Sequence, residues 1–211
     1  MKKVLISGGK GDIAVSLIKK LKEKGEYEIF APSHSEMDVT DIDSVSKYVK
    51  SIGGADILVN NAGINVDTNI LTSDIKVEKN ILDTNLFGIF NCASAVLKIN
   101  PKALVLNIGS MSGTAAGPTY NSYRVAKAGV IMATQCWAKQ GVNTFCINVG
   151  RLEGAMRRKL FPDGDSFADT LLKQERLAAF IEKLIAKSSD VESGKCFCVH
   201  SDNVDDLINN M

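Results

Sequence analysis

The chain has 211 residues with 25 basic and 24 acidic side chains, a net charge of +1. No global field therefore favours nucleic acid or a membrane surface, and a partner must be recognised locally. That length suits a single domain over residues 1–211 with a full core.

Cys92, Cys136, Cys146, Cys196 and Cys198 show no C-x-x-C spacing, and His34 and His200 lie far apart, a pattern of reduced packing cysteines without a metal site. The apolar run Val4-Leu5-Ile6 is too short for a leader, and no later stretch reaches the ~18 apolar residues of a membrane span. The expectation is a soluble, cytoplasmic protein.

Val4 to Ser7 reads as a short buried strand, and Gly8-Gly9-Lys10-Gly11 turns it into a helix with Ile13, Leu17, Ile18 and Leu21 on its apolar side. Strand, glycine turn and helix form the dinucleotide-binding arrangement: glycines let backbone approach a pyrophosphate, and the helix N-terminus supplies N–H donors. Two registers fit. Gly8-x-x-Gly11-x-x-Ala14 is one; G-x-x-x-G-x-G is the other, with Asp12 and Ala14 where glycines are expected. A carboxylate at Asp12 opposes a phosphate unless its side chain turns away to cap the helix.

Glu26 to Ala31 reads as the second strand, followed by Ala31-Pro32-Ser33-His34-Ser35 in place of the acidic residue that many NAD-binding folds use for the ribose. Only six residues lie between Phe30 and Met37, too few for a helical parallel crossover. One helix is therefore absent, and a third strand short or lost. Asp38-Val39-Thr40-Asp41 then leads into a helix with Ile42, Val45, Val49 and Ile52 at helical spacing.

Asp56 to Gly63 is a buried strand ending in Asn60-Asn61-Ala62-Gly63 at the ligand-binding edge of the sheet. A long helix is expected from about Asp74 to Ile99. Asn85 inside it competes for backbone hydrogen bonds, and so either distorts the helix or holds a water.

Ala103 to Ser110 reads as a buried strand that delivers a hydroxyl at its C-terminal end. Met111 to Thr119 is a loop, and Tyr120 to Gln140 a helix carrying Tyr123-Arg124-Val125-Ala126-Lys127. A spacing of four places the phenol and the ammonium on one helical face. A free phenol titrates near ~10 and needs a neighbouring cation to exchange protons near neutrality; Lys127 is that cation, and Ser110 can hydrogen-bond the same oxygen.

Phe145 to Val149 is a strand, Gly150 to Asp165 a loop, Ser166 to Lys187 an amphipathic helix, and Lys195 to Val199 the last strand. The alternation predicts one Rossmann-like, doubly wound α/β fold with a mostly parallel sheet of about six strands.

Taken together, Asn-Asn-Ala-Gly, Asn85, Ser110 and Tyr123-x-x-x-Lys127 resemble the motifs of the short-chain dehydrogenase/reductase family, in its order and over essentially the whole chain, in shortened form. The resemblance implies hydride transfer between a nicotinamide cofactor and a carbonyl or secondary alcohol. It implies a tetrad in which Tyr123 is acid/base, Ser110 polarises the carbonyl, Lys127 lowers the tyrosine pKa and binds the nicotinamide ribose, and Asn85 holds a relay water. By the same resemblance Gly8, Gly9, Lys10, Gly11, Asp12 and Ile13 meet the phosphates, and Asp38 and Val39 the adenine. Asn61, Ala62 and Gly63 line the groove, with Gly150 and Leu152 beside the nicotinamide.

Two departures are Val149-Gly150, where the family has Pro-Gly, and Gly154, where it has a threonine for the carboxamide. Lys10, with no acid after the second strand, tilts the cofactor toward NADP(H) over NAD(H).

The alternatives are a dinucleotide-binding regulator without activity and a sugar-nucleotide epimerase or dehydratase. Arg151, Arg157, Arg158 and Lys159 in the loop over the substrate pocket suggest an anionic substrate. Leu86, Phe87, Phe90, Leu97, Val125, Met132, Cys136 and Trp137 leave the two central helices apolar all round, which suggests a homodimer or homotetramer.

Overall fold

The structure is a computed structural model that describes residues 1–211. Six parallel strands form one sheet in the order β2-β1-β3-β4-β5-β6: β1 is Lys2–Ile6, β2 Tyr27–Phe30, β3 Ile57–Asn60, β4 Leu104–Ser110, β5 Thr144–Val149 and β6 Cys196–Val199. Strands β3, β4 and β5 are buried throughout, as continuous apolar runs in a sheet covered on both faces must be.

Helices α1 (Asp12–Lys24), α7 (Gln174–Lys187) and α8 (Val204–Asn209) cover one face, with Leu17, Leu21, Phe180 and Leu184 in its core. The other face is covered by α2 (Ile42–Ser51), α4 (Gly88–Ile99) and α5 (Asn121–Lys139), through Val45, Val49, Val96 and Val130. From β1 the chain moves outward to β2, then returns to place β3 on the other side of β1. The C-terminal ends of β1 and β3 therefore flank the crevice where open α/β sheets bind ligands.

The crossover after β2 has no helix, and no strand forms before α2, as the short spacing predicts. Met37 and Val39 are nevertheless buried, in irregular backbone against the α2–α4 face. The helix expected from Asp74 is α3 (Ile75–Leu82), a π turn over Asp83–Phe87, then α4. The Asn85 side-chain amide donates to the carbonyl of Ile81, four residues back, which a regular helix would offer to the Asn85 N–H. The distortion expected of Asn85 is thus present.

Three boundaries differ from expectation. Ser7 lies just past β1: its N–H still donates to Val59 O of β3, while its hydroxyl accepts from the N–H groups of Asn61 and Ala62 beyond that strand. The stretch from Ser166 forms only a 3-10 turn at Ala168–Thr170 before Gln174: Leu172 runs extended and bridges to Leu152, burying its side chain. The loop after β5 contains a short helix, α6 (Ala155–Leu160), and α8 carries too few apolar residues to announce itself.

Candidate active site

The first half of the site is a backbone cradle between β1 and β3. Gly8 stands at φ 66°, in the left-handed region, and a Cβ on it would lie 3.0 Å from Ala62 Cα. Gly9 is tighter: a Cβ there would stand 2.0 Å from the Ala31 carbonyl oxygen. Gly11 N–H closes the turn onto Gly8 O at 2.9 Å, and Ile13 follows in the first turn of α1.

Asn61 fixes this loop to β3, donating from Nδ2 to Ser7 O (3.0 Å) and Gly8 O (3.2 Å). Ser7 completes the join, its buried hydroxyl accepting from the N–H groups of Asn61 and Ala62 at 3.0 Å each. The sequence reading missed Ser7; its signal is a hydroxyl at a strand end facing an Asn-Asn-Ala-Gly run.

Asp38 and Val39 lie where the shortened crossover passes β1. The Asp38 carboxyl sits below its ordinary range: burial opposes ionisation, but the Thr40 N–H and hydroxyl bonds prevail. Lys10 is exposed and faces Glu36, whose carboxyl is held low first by hydrogen bonds from the Ser33 hydroxyl and N–H.

The second half lies at the end of β4. Along α5, Ala126, Val130, Ala133 and Thr134 face the sheet, which brings Tyr123 and Lys127 over the last residues of that strand. Lys127 is buried; its ammonium donates to Ile108 O at 2.8 Å and lies 5.6 Å from the centre of the Tyr123 ring. Burial lowers its pKa to about 8. The Tyr123 phenol moves the opposite way: burial raises it, and the Ser110 hydroxyl partly offsets the rise. Both shifts favour the uncharged forms.

Asn85 reaches the same place from the π turn. Its Nδ2 donates to Ile64 O at 2.8 Å and Ile81 O at 2.9 Å, while Oδ1 is buried without a partner. A Cβ on Gly63 would stand 2.7 Å from that Oδ1 and 3.8 Å from Lys127 Nζ. Glycine at this position leaves the space between the amide oxygen and the ammonium open.

The two departures after the phosphate loop and after β5 meet in space. Asp12 does not cap α1, whose N-cap is Gly11 with no side-chain bond; its carboxylate accepts instead from the Ala155 N–H. A Cβ on Gly154 would lie 2.5 Å from the same carboxylate, so the absence of a side chain at 154 accommodates the presence of one at 12. Gln174 adds a second tie, donating to Glu153 O and accepting from Ser16 of α1. Gly150 is anchored by its N–H to Val199 O at 2.8 Å, and Leu152 is half-buried.

The basic residues of this loop do not converge. Arg157 is gripped by both oxygens of Asp165 and lies over Phe161, Arg151 stacks on Phe167 at 3.7 Å, and Arg158 and Lys159 are exposed. The Asp165 carboxyl is held at about 2, chiefly by its hydrogen bond from Arg157.

Comparison with known proteins decides what this arrangement belongs to. Residues 2–165 match the family model described as short chain dehydrogenase. The chain is a member of that family.

Among curated relatives, the 3-oxoacyl-acyl-carrier-protein reductase FabG of Staphylococcus epidermidis is 30% identical over 188 residues, 82% of this chain and 73% of the relative. The FabG of Vibrio cholerae is 35% identical over 135 residues, 59% of this chain and 55% of the relative. Among solved structures, ElxO with NADP bound superposes with a TM-score of 0.83 at 22% identity, covering 97% of this chain and 100% of that one. The aldohexose dehydrogenase of Thermoplasma acidophilum gives 0.84 at 20% identity, over 95% and 92%. These structural likenesses concern the fold.

As a short-chain dehydrogenase/reductase the protein is an NAD(P)-dependent oxidoreductase, and the regulator and epimerase readings are not favoured. No helix is long and apolar enough to cross a membrane.

Proposed function

We propose that the protein transfers hydride between a nicotinamide cofactor and a carbonyl or secondary alcohol, with Tyr123 as the acid/base and cradle and catalytic residues in one domain. The observation that carries this reading is the meeting of Tyr123, Ser110, Lys127 and the unpartnered Asn85 Oδ1 at the end of β4. The glycine cradle fits a dinucleotide: Gly8 and Gly9 let the loop pack against the backbone of Ala62 and Ala31, where any side chain would clash, Gly63 leaves space beside Asn85 Oδ1, and the α1 N-terminus follows the loop.

When bound, the cofactor supplies the hydride; this chain supplies position and the proton. Ser110 orients the carbonyl oxygen toward the phenol. Tyr123 hands it a proton in the reducing direction and accepts one in the oxidising direction; burial raises its pKa and opposes loss of the proton, so the phenolate needs the neighbouring cation. Lys127, held by Ile108 O, stabilises phenolate as it forms, and Asn85 Oδ1 anchors the water through which the proton is replaced.

We further infer NADP(H) over NAD(H), because Lys10 is exposed beside the adenosine end and the nearby acids are engaged, Glu36 by Ser33 and Asp38 by Thr40. For an anionic substrate, support narrows to Arg151 and Arg158, since Arg157 is paired within its own loop.

Phe87, Phe90, Val125 and Met132 stand exposed on α4, α5 and the turn before them, which supports a homodimer or homotetramer through that face. The five unpaired cysteines fit a reducing compartment such as the cytoplasm.

The test follows cofactor absorbance with NADPH or NADH and a panel of carbonyl compounds, the ratio of kcat/KM values fixing cofactor preference. Tyr123→Phe is expected to lower kcat by ~100-fold or more while cofactor binding stays near normal. A Phe variant with most of its activity overturns the assignment. Light scattering at micromolar concentration is expected to give a dimer or tetramer; a monomer refutes the oligomer.

A further inference from the structure

The ten residues 111–120 that join Ser110 to the helix of Tyr123 contain little regular structure. After one 3-10 turn at Met111–Gly113 the backbone is irregular as far as Tyr120, which enters α5 at φ 61°. The two reacting side chains flank this loop, so its shape sets the wall of the space above them. One side chain holds it in place.

Arg124, the residue after Tyr123, folds back from α5 rather than extending into water. Its Nε donates to Thr119 O at 2.9 Å and its Nη1 to Ala115 O at 2.9 Å. A planar fork thus grips two carbonyls four residues apart, a geometry that lysine cannot reproduce. Gly117 lies between those carbonyls. A Cβ there would stand 2.3 Å from Nη2, 2.4 Å from Cζ and 2.8 Å from Nε, so only glycine lets the guanidinium lie on the loop.

We propose that Arg124 is a positioning residue, a strap that fixes the loop between Ser110 and Tyr123, and that Gly117 is its seat. The proposal rests on the reading of Tyr123 and Ser110 as the reacting pair. Arg124 acts through the loop and not on the substrate. Because the strap holds only the loop between Ser110 and Tyr123 and makes no hydrogen bond in the dinucleotide cradle, loosening it is expected to disturb the carbonyl compound and spare the cofactor.

Two substitutions break the contact from opposite sides. Arg124→Lys keeps the charge and loses the fork. Gly117→Ala keeps the arginine and evicts it, and because the clash is with the far end of a flexible side chain the guanidinium swings out while the fold persists. Each variant is expected to speed exchange of the Thr114 and Tyr120 amides, which donate to Met111 O and Thr68 O, by about tenfold. Each is also expected to lower kcat/KM for the carbonyl substrate by about tenfold, mostly through KM, with the NADPH dissociation constant within about twofold of wild type.

The double variant is expected to be no worse than the more severe single one, since both remove the same contact. Unchanged exchange in both single variants, or losses that multiply in the double, overturn the strap. If wild-type protein turns over no carbonyl compound, the functional reading fails, while the exchange measurement still decides the strap.

Discussion

The two ends of the candidate site are built on opposite terms. At the end of β4, Lys127, Asn85 and Ser110 are buried and tied to backbone: the ammonium to Ile108 O, the amide to Ile64 O and Ile81 O, and the Ser110 hydroxyl to Ser112 N–H. In the loop after β5, the charged side chains are tied to one another: Arg157 to Asp165, and Lys173 to Glu153.

Backbone partners are present whatever the neighbouring side chains are, so the first group has one arrangement. The Lys173–Glu153 pair is open to solvent and exchanges at little cost, while Arg157 and Asp165 are bound to each other and not to backbone, so the second group can be rearranged by a ligand or a substitution. The proposed chemistry is anchored where nothing else can compete for its groups, and the proposed substrate contacts lie where competition is cheap.

Removing the buried cation breaks the contrast most severely. Lys127→Met is expected to lower kcat by ~100-fold or more, yet to make the protein more stable at neutral pH. The sign follows from burial. Lys127 titrates at about 8 in the folded chain against 10.5 for a free side chain, so it opposes folding fully below pH 8, and the opposition fades as pH rises to 10.5. After allowance for the lost bond to Ile108 O, the gain at pH 7 is about 2 kcal/mol. Melting curves across pH 7–10.5 should converge with wild type at the alkaline end; a variant that is less stable at pH 7 would contradict the desolvation of Lys127.

Asn85→Ala probes the same end less drastically. It leaves Ile64 O without its side-chain partner and removes the orphan Oδ1, with kcat expected to fall about tenfold and stability by about 1–2 kcal/mol. An unchanged kcat alongside the stability loss would restrict Asn85 to shaping the π turn.

The smallest effect sharpens the other end. Asp165→Asn frees Arg157, and KM for an acidic carbonyl compound should fall about threefold while a neutral one is unaffected, an advantage that added salt erases. Equal changes in KM for both compounds would remove the basic loop from substrate recognition.

The same contrast explains what the sequence disclosed. The buried strands, the glycine turn and the shared face of Tyr123 and Lys127 were legible because apolar runs, glycines and a four-residue spacing translate directly into backbone geometry. Asn85 announced its own distortion, since an amide in mid-helix competes for an i−4 carbonyl. The pairing of Asp12 with Gly154 was not legible. Each reads as a separate departure until the fold sets residues 142 apart in sequence against each other. Nor was the engagement of Arg157 by Asp165, because a list of loop charges gives signs but not rotamers. Ser166–Lys173 shows a third limit: amphipathic spacing continues through it, but a bridge from Leu172 to Leu152 overrides local propensity.

The missing crossover helix has a consequence at the margin of the sheet. With no further strand beyond it, β2 presents an outer row of amide and carbonyl groups with no neighbour, the template on which a second chain can add. Here the row is four residues long, Glu28 projects from its middle into solvent, and Pro32 follows two residues after its end. A short, charged and proline-stopped margin is poor ground for sheet-to-sheet aggregation. The abbreviated crossover thus keeps the protein free of the sticky border that losing a strand would otherwise create.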